Sequence, residues 1–182
     1  MNVKEIRKNA AGQMGYCFSC QVCDGVACKN SIPGPGCKGQ GKVFNRNYLA
    51  WQNIFLNMDT ISENKAIDTS FDFFGQTLTI PVCAAPIGAM KMHYGEKYDD
   101  LAYNELLIHG AKNAGIIAWT GDGTNEAVME SAVSQIAAGD GCGVPTIKPW
   151  DMETVFRKIK MVLQADTKAI AIDIDAAVLP FL

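Results

Sequence analysis

The chain has 182 residues, of which 48% are hydrophobic and 19% charged, as is typical of one soluble globular domain or a large part of one. Its formal charge of -3 argues against nucleic acid or an acidic membrane surface as a partner. The apolar runs are shorter than the roughly 20 residues of a membrane-spanning helix, and the N-terminus lacks the apolar centre of a secretory signal. We therefore expect a soluble, cytoplasmic protein.

The first part of the chain combines a short helix with a Cys- and Gly-rich segment. Apolar residues recur at helical spacing over residues 1–15, which predicts an amphipathic helix. Residues 16–42 are rich in Cys and Gly and carry turn signals at PGPG and KGQGK. Such a stretch has little core of its own, so it must be tied by metal or lie against another surface. We treat residues 1–44 as a leader and residues 45–182 as the main domain.

The leader holds most of the 7 cysteines of the chain. Cys17, Cys20, Cys23 and Cys28 form the pattern C-x2-C-x2-C-x4-C. A ferredoxin run has the pattern C-x2-C-x2-C-x3-C-P, so the last spacing is longer here and no proline follows. C-x2-C pairs also suit zinc, which four thiolates enclose in a tetrahedral site. A zinc site, an iron–sulfur cluster and unliganded thiols, packed or redox-active, all remain open, whereas a reducing cytosol disfavours disulfides.

From about residue 76 the sequence alternates between short apolar runs and helical stretches. The apolar runs are LTIPVCAA, GIIAWT, GVPTIK and AIAIDI. The helices predicted between them are residues 96–114, TNEAVMESAVSQIAAG and METVFRKIKMVLQA. This order predicts a parallel sheet with right-handed crossovers, and the apolar strands predict that both of its faces are covered.

Polar residues follow the apolar runs, at the strand ends where α/β proteins bind ligands. They read API, WTGDG, IKPW and DIDAA. A doubly wound nucleotide-binding fold would favour a glycine-rich phosphate loop, but GDGTNE has only the first two glycines of one. A (β/α)8 barrel needs eight units in roughly 250 residues, and this chain supplies about four. Periodicity alone does not choose between the two folds.

One stretch points to a family. FDFFGQTLTIPVCAAPIGAMKM resembles the segment that leads into the first barrel strand of FMN-dependent α-hydroxy-acid oxidases and dehydrogenases, the family of glycolate and lactate oxidases. The resemblance continues through GEKYDDLAYNELLIHGAKNAGIIAWTGDGTNEAV, GVPTIKPWDMETV and AIAIDIDAA, and covers roughly residues 45–182. It implies an α/β fold, a TIM (β/α)8 barrel of which about the first four units, a half barrel, are present. The leader is similar to that of bacterial α-hydroxy-acid-oxidising proteins.

The resemblance implies an enzyme that holds FMN at the C-terminal face of the barrel and takes a hydride from the α-carbon of a small 2-hydroxy acid. In this family flavin N5 accepts the hydride, a histidine takes the hydroxyl proton and an arginine binds the carboxylate. His93 and His109, the two histidines present, do not match that histidine. We therefore expect the catalytic His and Arg beyond residue 182, and the chain alone to be inactive.

A different class of function stays open beside the enzyme. The chain is then a non-catalytic half barrel or a metal-binding protein that forms a homo-oligomer to cover an open sheet edge. In either case we expect neither nucleic acid nor a membrane as a partner.

The resemblance also assigns flavin contacts position by position. The segment that would pass under the isoalloxazine ring consists of Ala85, Pro86, Ile87 and Gly88. A small residue is needed there because bulk would push the ring away. Thr120, with Gly121 beside it, would lie near the flavin pyrimidine, although the same turn suits a helix cap.

The next two strand ends depart from the oxidases. Thr146 and Lys148 stand where the oxidases tend to have glutamine and tyrosine, and Asp173 stands where a threonine is more usual. Lys148 would stabilise negative charge on reduced flavin or bind the substrate carboxylate, with a solvated lysine as the alternative. Asp175 would orient a catalytic base later in the chain. Two carboxylates on one face of a buried strand are costly unless paired, which predicts hydrogen-bonded partners for them.

Overall fold

The computed structural model describes residues 2–15, 17–28 and 42–174. The chain divides into two compact units. The first comprises residues 1–68 with 92–96, and the second comprises residues 69–91 with 97–182. A helix, Lys42–Trp51, runs across the position at which the sequence suggested a boundary between leader and main domain.

The first unit contains helices α1 (Val3–Ala10) and α2 (Lys42–Trp51). The predicted N-terminal helix is present but shorter than residues 1–15. It begins at a capping box, in which the Glu5 amide donates to Asn2 Oδ1 and the Asn2 amide donates to Glu5 Oε2, both at 3.0 Å. Neither helix has a buried residue. These helices therefore do not build a core within the described residues of this unit.

The second unit begins with a hairpin that the sequence analysis missed. Strands β1 (Phe71–Phe73) and β2 (Gln76–Leu78) pair antiparallel. The two turn residues, Phe74 and Gly75, have φ of 50° and 80°, as the tightest hairpin turns require. The predicted strand LTIPVCAA is therefore divided, because its first residue, Leu78, belongs to the hairpin and only Cys83–Ala84 join the parallel sheet.

The parallel sheet has four strands in the order in which they occur along the chain. They are β3 (Cys83–Ala84), β4 (Ile117–Thr120), β5 (Gly143–Ile147) and β6 (Ala171–Ile172). The helices between them are α3 (Met90–Tyr94, which spans both units), α4 (Asp100–Ala114), α5 (Glu126–Ala138) and α6 (Met152–Val162). Each neighbouring pair of strands is parallel, which confirms the predicted alternation of strands and helices.

Short polar side chains fix where the helices of the sheet begin. Asp99 accepts a hydrogen bond from the Ala102 amide at 2.9 Å, so α4 begins at Asp100 and not at residue 96 as predicted. Asn125 and Asp151 cap α5 and α6 in the same way. Asn125 and Asp151 follow the last residues of β4 and β5 by five and four positions, so these two caps also fix where the connecting loops end.

The two faces of the sheet carry different groups. Ile117 and Val144 pack with Leu78 of the hairpin on one face, which we call the inner face. Ala118 packs with residues of α4 and α5 on the other face, the helix face. Because side chains alternate along a strand, Thr146 shares the inner face with Val144. No helix within the described ranges is both long enough and apolar enough to cross a membrane.

Candidate functional site

The carboxyl ends of the parallel strands gather most of the predicted site residues at one edge of the sheet. Ala85, Pro86, Ile87 and Gly88 follow β3, Thr120 ends β4 and Gly121 follows it, Thr146 lies near the end of β5 with Lys148 after it, and Asp173 follows β6. The sheet pairing continues to the last of these, since the Asp173 amide donates to the Ile147 carbonyl at 2.9 Å. Asp175 lies outside the described residues.

Two buried polar atoms on the inner face lack partners. Thr146 is 5% exposed, and its Oγ1 has no hydrogen-bond partner among the residues that the structure describes. Nε1 of Trp119 also has no hydrogen-bond partner among the described residues, and the Trp119 side chain packs against the inner-face cluster. Leaving such a group unpaired costs about 1–3 kcal/mol. The inner face of β4 and β5 therefore offers two groups that a bound polar molecule would satisfy.

Thr120 also has an unpartnered hydroxyl, but its place differs. It is fully buried, and it lies two residues after Ala118. Since Ala118 packs against the helices, alternation along β4 directs Thr120 to the helix face. Its hydroxyl and that of Thr146 therefore belong to opposite faces of the sheet.

An ion pair joins the ends of β5 and β6. Lys148 Nζ donates to Asp173 Oδ2 at 3.0 Å, and the two side chains are only 14% and 26% exposed. Lys148 is thus not a solvated surface lysine. Asp173 has the partner that a largely buried carboxylate needs. The pair lies at the carboxyl ends of β5 and β6, and Lys148 follows Thr146 by two residues.

A second, deeper ion pair lies behind these loops and was not anticipated from the sequence. The Asp122 side chain is fully buried, and its Oδ1 lies 2.5 Å from Nζ of Lys158, whose side chain is 3% exposed. Oδ1 also accepts from the Gly123 amide at 2.8 Å. Oδ2 accepts from the Lys148 amide at 3.0 Å and from Trp150 Nε1 at 2.7 Å. Lys158 is in turn 4.9 Å from the centre of the Trp150 ring.

The sequence carries a weak signal for this pair. Lys158 precedes Val162 by four residues in α6, so the two share one side of the helix. Val162 is fully buried, and an apolar residue is the usual occupant of such a position. A lysine there points to a buried partner, although it does not identify Asp122.

Backbone packing explains two of the glycines in the predicted site. A Cβ on Gly121 would lie 2.5 Å from the carbonyl oxygen of Ile87. A Cβ on Gly88 would lie 3.0 Å from the carbonyl oxygen of Asp122. The distance at Gly121 is too short for a side chain and the distance at Gly88 is tight, so the loop after β3 and the loop after β4 are in direct backbone contact. The turn through Gly88 is therefore required by its neighbouring loop, whatever binds above it.

Four described cysteines of the leader, Cys17, Cys20, Cys23 and Cys28, lie in the first unit. Burial is the main cause that raises the pKa of the Cys28 thiol, and the charges of Cys23, Cys17 and Cys20 raise it further. Within the described ranges, no group of three or more His, Cys, Asp or Glu side chains is arranged to hold a metal ion. The prediction of zinc or an iron–sulfur cluster at Cys17, Cys20, Cys23 and Cys28 is therefore not supported.

The parallel β-α sheet defines an α/β protein, and the carboxyl edge of such a sheet is where ligands of this class usually bind. Comparison with protein families assigns residues 35–180 to the FMN-dependent dehydrogenases, and the chain belongs to this family. The family resemblance predicted from the sequence is thereby confirmed. No protein of curated function matches the chain. The family folds as a TIM barrel, and strands β3 to β6 form a parallel sheet in chain order without closing a barrel within the described residues.

Family membership identifies the chain as a flavoprotein oxidoreductase sequence with FMN as the cofactor. The inner face fits such a group. Thr146 Oγ1 and Trp119 Nε1 are buried hydrogen-bonding atoms without partners among the described residues, and Lys148, two residues after Thr146, supplies a cation at the carboxyl end of β5. A flavin edge carries carbonyl and ring nitrogen atoms that these three groups are able to bind.

Proposed function

We propose that this chain forms the first half of the flavin site in an oxidoreductase that acts on the CH–OH group of a small 2-hydroxy acid. The observation that supports this most directly is the combination of an unpartnered Thr146 hydroxyl with the Lys148–Asp173 pair at adjacent strand ends. These positions belong to the segment that matches the FMN-dependent dehydrogenases. Bound FMN would supply the hydride acceptor.

Each of the residues at the strand ends has a role in this proposal. Thr146 Oγ1 and Trp119 Nε1 would hydrogen-bond the polar edge of the flavin. The Lys148 ammonium would stand beside the position where negative charge develops, and Asp173 would keep that lysine in place. Ala85 and Pro86, which are exposed after β3, would offer a flat surface to the ring. Because Thr120 is directed to the helix face, the proposal rests on Thr146 and not on Thr120.

The proton acceptor and the carboxylate-binding arginine are proposed to come from outside residues 1–182. His109 lies exposed in α4, away from the carboxyl edge of the sheet. Arg157 of α6 forms an ion pair with Glu126 of α5. The proposal assigns neither of them to the substrate. We therefore expect the 182-residue chain to bind flavin without oxidising hydroxy acids, in a cytoplasmic setting.

A second candidate, a non-catalytic protein that dimerises, is favoured by the edge strand β6. Ile172 and Ile174 are 49% and 81% exposed there, and exposed apolar edges tend to pair. Two copies of the chain would then cover each other's edge. Sedimentation equilibrium tests this candidate: a concentration-dependent dimer that Ile174→Lys abolishes supports it, and a monomer at every concentration counts against it.

Flavin binding tests the first candidate. FMN fluorescence is titrated with the wild-type chain, with Lys148→Met and with Lys168→Met. Lys168 is a matched control because it also pairs with an aspartate, at 3.3 Å, but precedes β6 at the opposite edge of the sheet. We expect saturable quenching, an affinity about tenfold lower for Lys148→Met, as for a charge-assisted contact, and no change for Lys168→Met. Equal affinities for the two variants would contradict the assignment of Lys148.

A further inference from the structure

The Asp122 carboxylate receives donors from more than one element of the fold. Gly123 belongs to its own loop after β4, Lys148 and Trp150 belong to the loop after β5, and Lys158 belongs to α6. One fully buried side chain thus connects two strand-end loops and the helix that follows the second of them.

The number of donors requires a carboxylate at this position. Each oxygen of Asp122 accepts two hydrogen bonds, so both oxygens are used fully. An amide offers only one accepting oxygen, and its NH2 group would face donors. The neighbouring Lys158 ammonium compensates the buried charge, which would otherwise be very costly. The arrangement is therefore specific for aspartate paired with lysine.

The contacts at Oδ2 hold the Lys148 backbone amide and the Trp150 side chain, two residues apart in one loop. The Lys148 amide is fixed at 3.0 Å, and the Trp150 indole is fixed at 2.7 Å. Pro149 stands between them, and its ring fixes φ. The Trp150 amide also donates to the Lys148 carbonyl at 2.8 Å. The Lys148 backbone is thereby held through its amide and its carbonyl, and Trp150, two residues further on, is held through its indole.

The Lys148 side chain continues from this fixed backbone to Asp173 on the inner face. No contact of Asp122 with the Lys148 ammonium is needed for this, since the carboxylate binds the amide. A lysine has a long flexible side chain, and a fixed starting point limits the volume that its ammonium samples. Asp122 therefore acts on the inner face through Lys148.

We propose that Asp122, with Lys158 as its counter-ion, is a positioning residue that sets Lys148 at the flavin site. The proposal rests on the proposed function for the meaning of that site, but the coupling of Asp122 to Lys148 is a property of the chain without flavin. It extends the site beyond the inner face to an ion pair whose side chains are withdrawn from solvent.

Amide hydrogen exchange of the flavin-free chain tests the coupling. The readout is the exchange rate of the Lys148 amide divided by that of Val144, which lies within β5 and reports general opening. Asp122→Asn and the charge-neutral Asp122→Asn/Lys158→Met variant are expected to raise this ratio about tenfold, because the amide loses its acceptor. Trp150→Phe keeps an aromatic side chain and both charges of the ion pair, removes one donor to Oδ2, and is expected to raise the ratio about threefold.

The control is Asp151→Ala, which removes the α6 cap in the same loop without touching Lys148. Its ratio is expected to stay at the wild-type value although the helix is weakened. A ratio that is unchanged in every folded Asp122 or Trp150 variant, or that rises as much in Asp151→Ala, would overturn the proposal.

Flavin affinity provides the second readout. Asp122→Asn/Lys158→Met and Lys148→Met are each expected to weaken FMN binding about tenfold, and the triple variant to weaken it no further, because all three changes act through one ammonium. If the triple variant lost FMN affinity by the product of these two separate losses, Asp122 would not act through Lys148. If the wild-type chain binds no FMN, the proposed function fails, and the exchange ratio alone then decides whether Asp122 positions Lys148.

Discussion

Asp122 and Lys158 form an ion pair of 2.5 Å whose side chains are almost completely withdrawn from solvent, although the two residues are 36 positions apart in the chain. The free-energy cost of taking two charges out of water is offset only when the geometry of the pair is good and the remaining hydrogen-bonding capacity of both groups is used. Three further donors to Asp122 meet that condition. The pair is therefore a strong structural constraint at the base of the candidate site.

Breaking this pair on one side is expected to destabilise the chain more than removing both charges. Lys158→Met leaves an uncompensated buried carboxylate and should lower the free energy of unfolding by about 3–5 kcal/mol. Asp122→Asn/Lys158→Met removes the charge imbalance and should recover part of that loss. Urea unfolding followed by circular dichroism measures both. A double variant that is less stable than Lys158→Met would contradict the account of the pair.

The backbone contact between the loops after β3 and β4 predicts a steric effect. Gly121→Ala places a methyl group 2.5 Å from the Ile87 carbonyl oxygen, so the loops must separate. The expected cost is about 1–3 kcal/mol, as for other overpacked sites. Gly110→Ala is the control, because Gly110 lies within α4 with open space around it, and it should stabilise the helix by about 1 kcal/mol. Thermal unfolding distinguishes the two variants, because the unfolding temperature should fall for Gly121→Ala and rise for Gly110→Ala. Similar shifts of the unfolding temperature in one direction would contradict the contact between the two loops.

The cap of α6 predicts a contribution to acid stability. The Thr154 amide donates to the Asp151 carboxylate at 3.0 Å, and this hydrogen bond is the main cause that lowers the pKa of Asp151 below its ordinary value of 3.8. When the pKa of a carboxyl group is lower in the folded than in the unfolded chain, the group stabilises the fold fully at pH values above its unfolded-state pKa. This stabilisation is lost as the pH falls through the folded-state pKa. Asp151→Asn keeps a capping oxygen but does not titrate.

The measurement is the free energy of unfolding of wild type and Asp151→Asn between pH 6 and pH 2. The difference in free energy of unfolding between wild type and Asp151→Asn should be constant near pH 6 and should shrink below about pH 3.8. Asp59→Asn, an exposed aspartate of the first unit, serves as the control for the loss of one charge. A difference between wild type and Asp151→Asn that does not change with pH would contradict the prediction.

The order of the sheet was predictable because it follows from local pattern. Four apolar runs separated by helical stretches allow few arrangements other than parallel strands with helical crossovers. The hairpin was not predictable in this way, since Phe74 adopts a positive φ that a bulky residue rarely takes. Its strand β2 therefore merged with β3 in the sequence pattern.

The candidate site was predictable only in part, for a related reason. Lys148 and Asp173 follow predicted strands, so their proximity follows from the parallel sheet. The face on which Thr120 and Thr146 lie depends on where each strand starts, and a shift of one residue exchanges the faces. Asp122, Lys158 and Trp150 meet only through tertiary packing. Spacing in the sequence carries no direct record of such contacts.

The most direct test of the central claim compares two buried threonines on opposite faces of the sheet. Thr146→Val and Thr120→Val each remove a hydroxyl that has no partner within the described residues, so both flavin-free variants should be at least as stable as wild type. FMN affinity is then measured by calorimetry. We predict that Thr146→Val weakens binding about tenfold, as the loss of one buried hydrogen bond would, and that Thr120→Val leaves it unchanged. Unchanged affinity in Thr146→Val, or no FMN binding by the folded wild-type chain, would contradict a flavin site on the inner face.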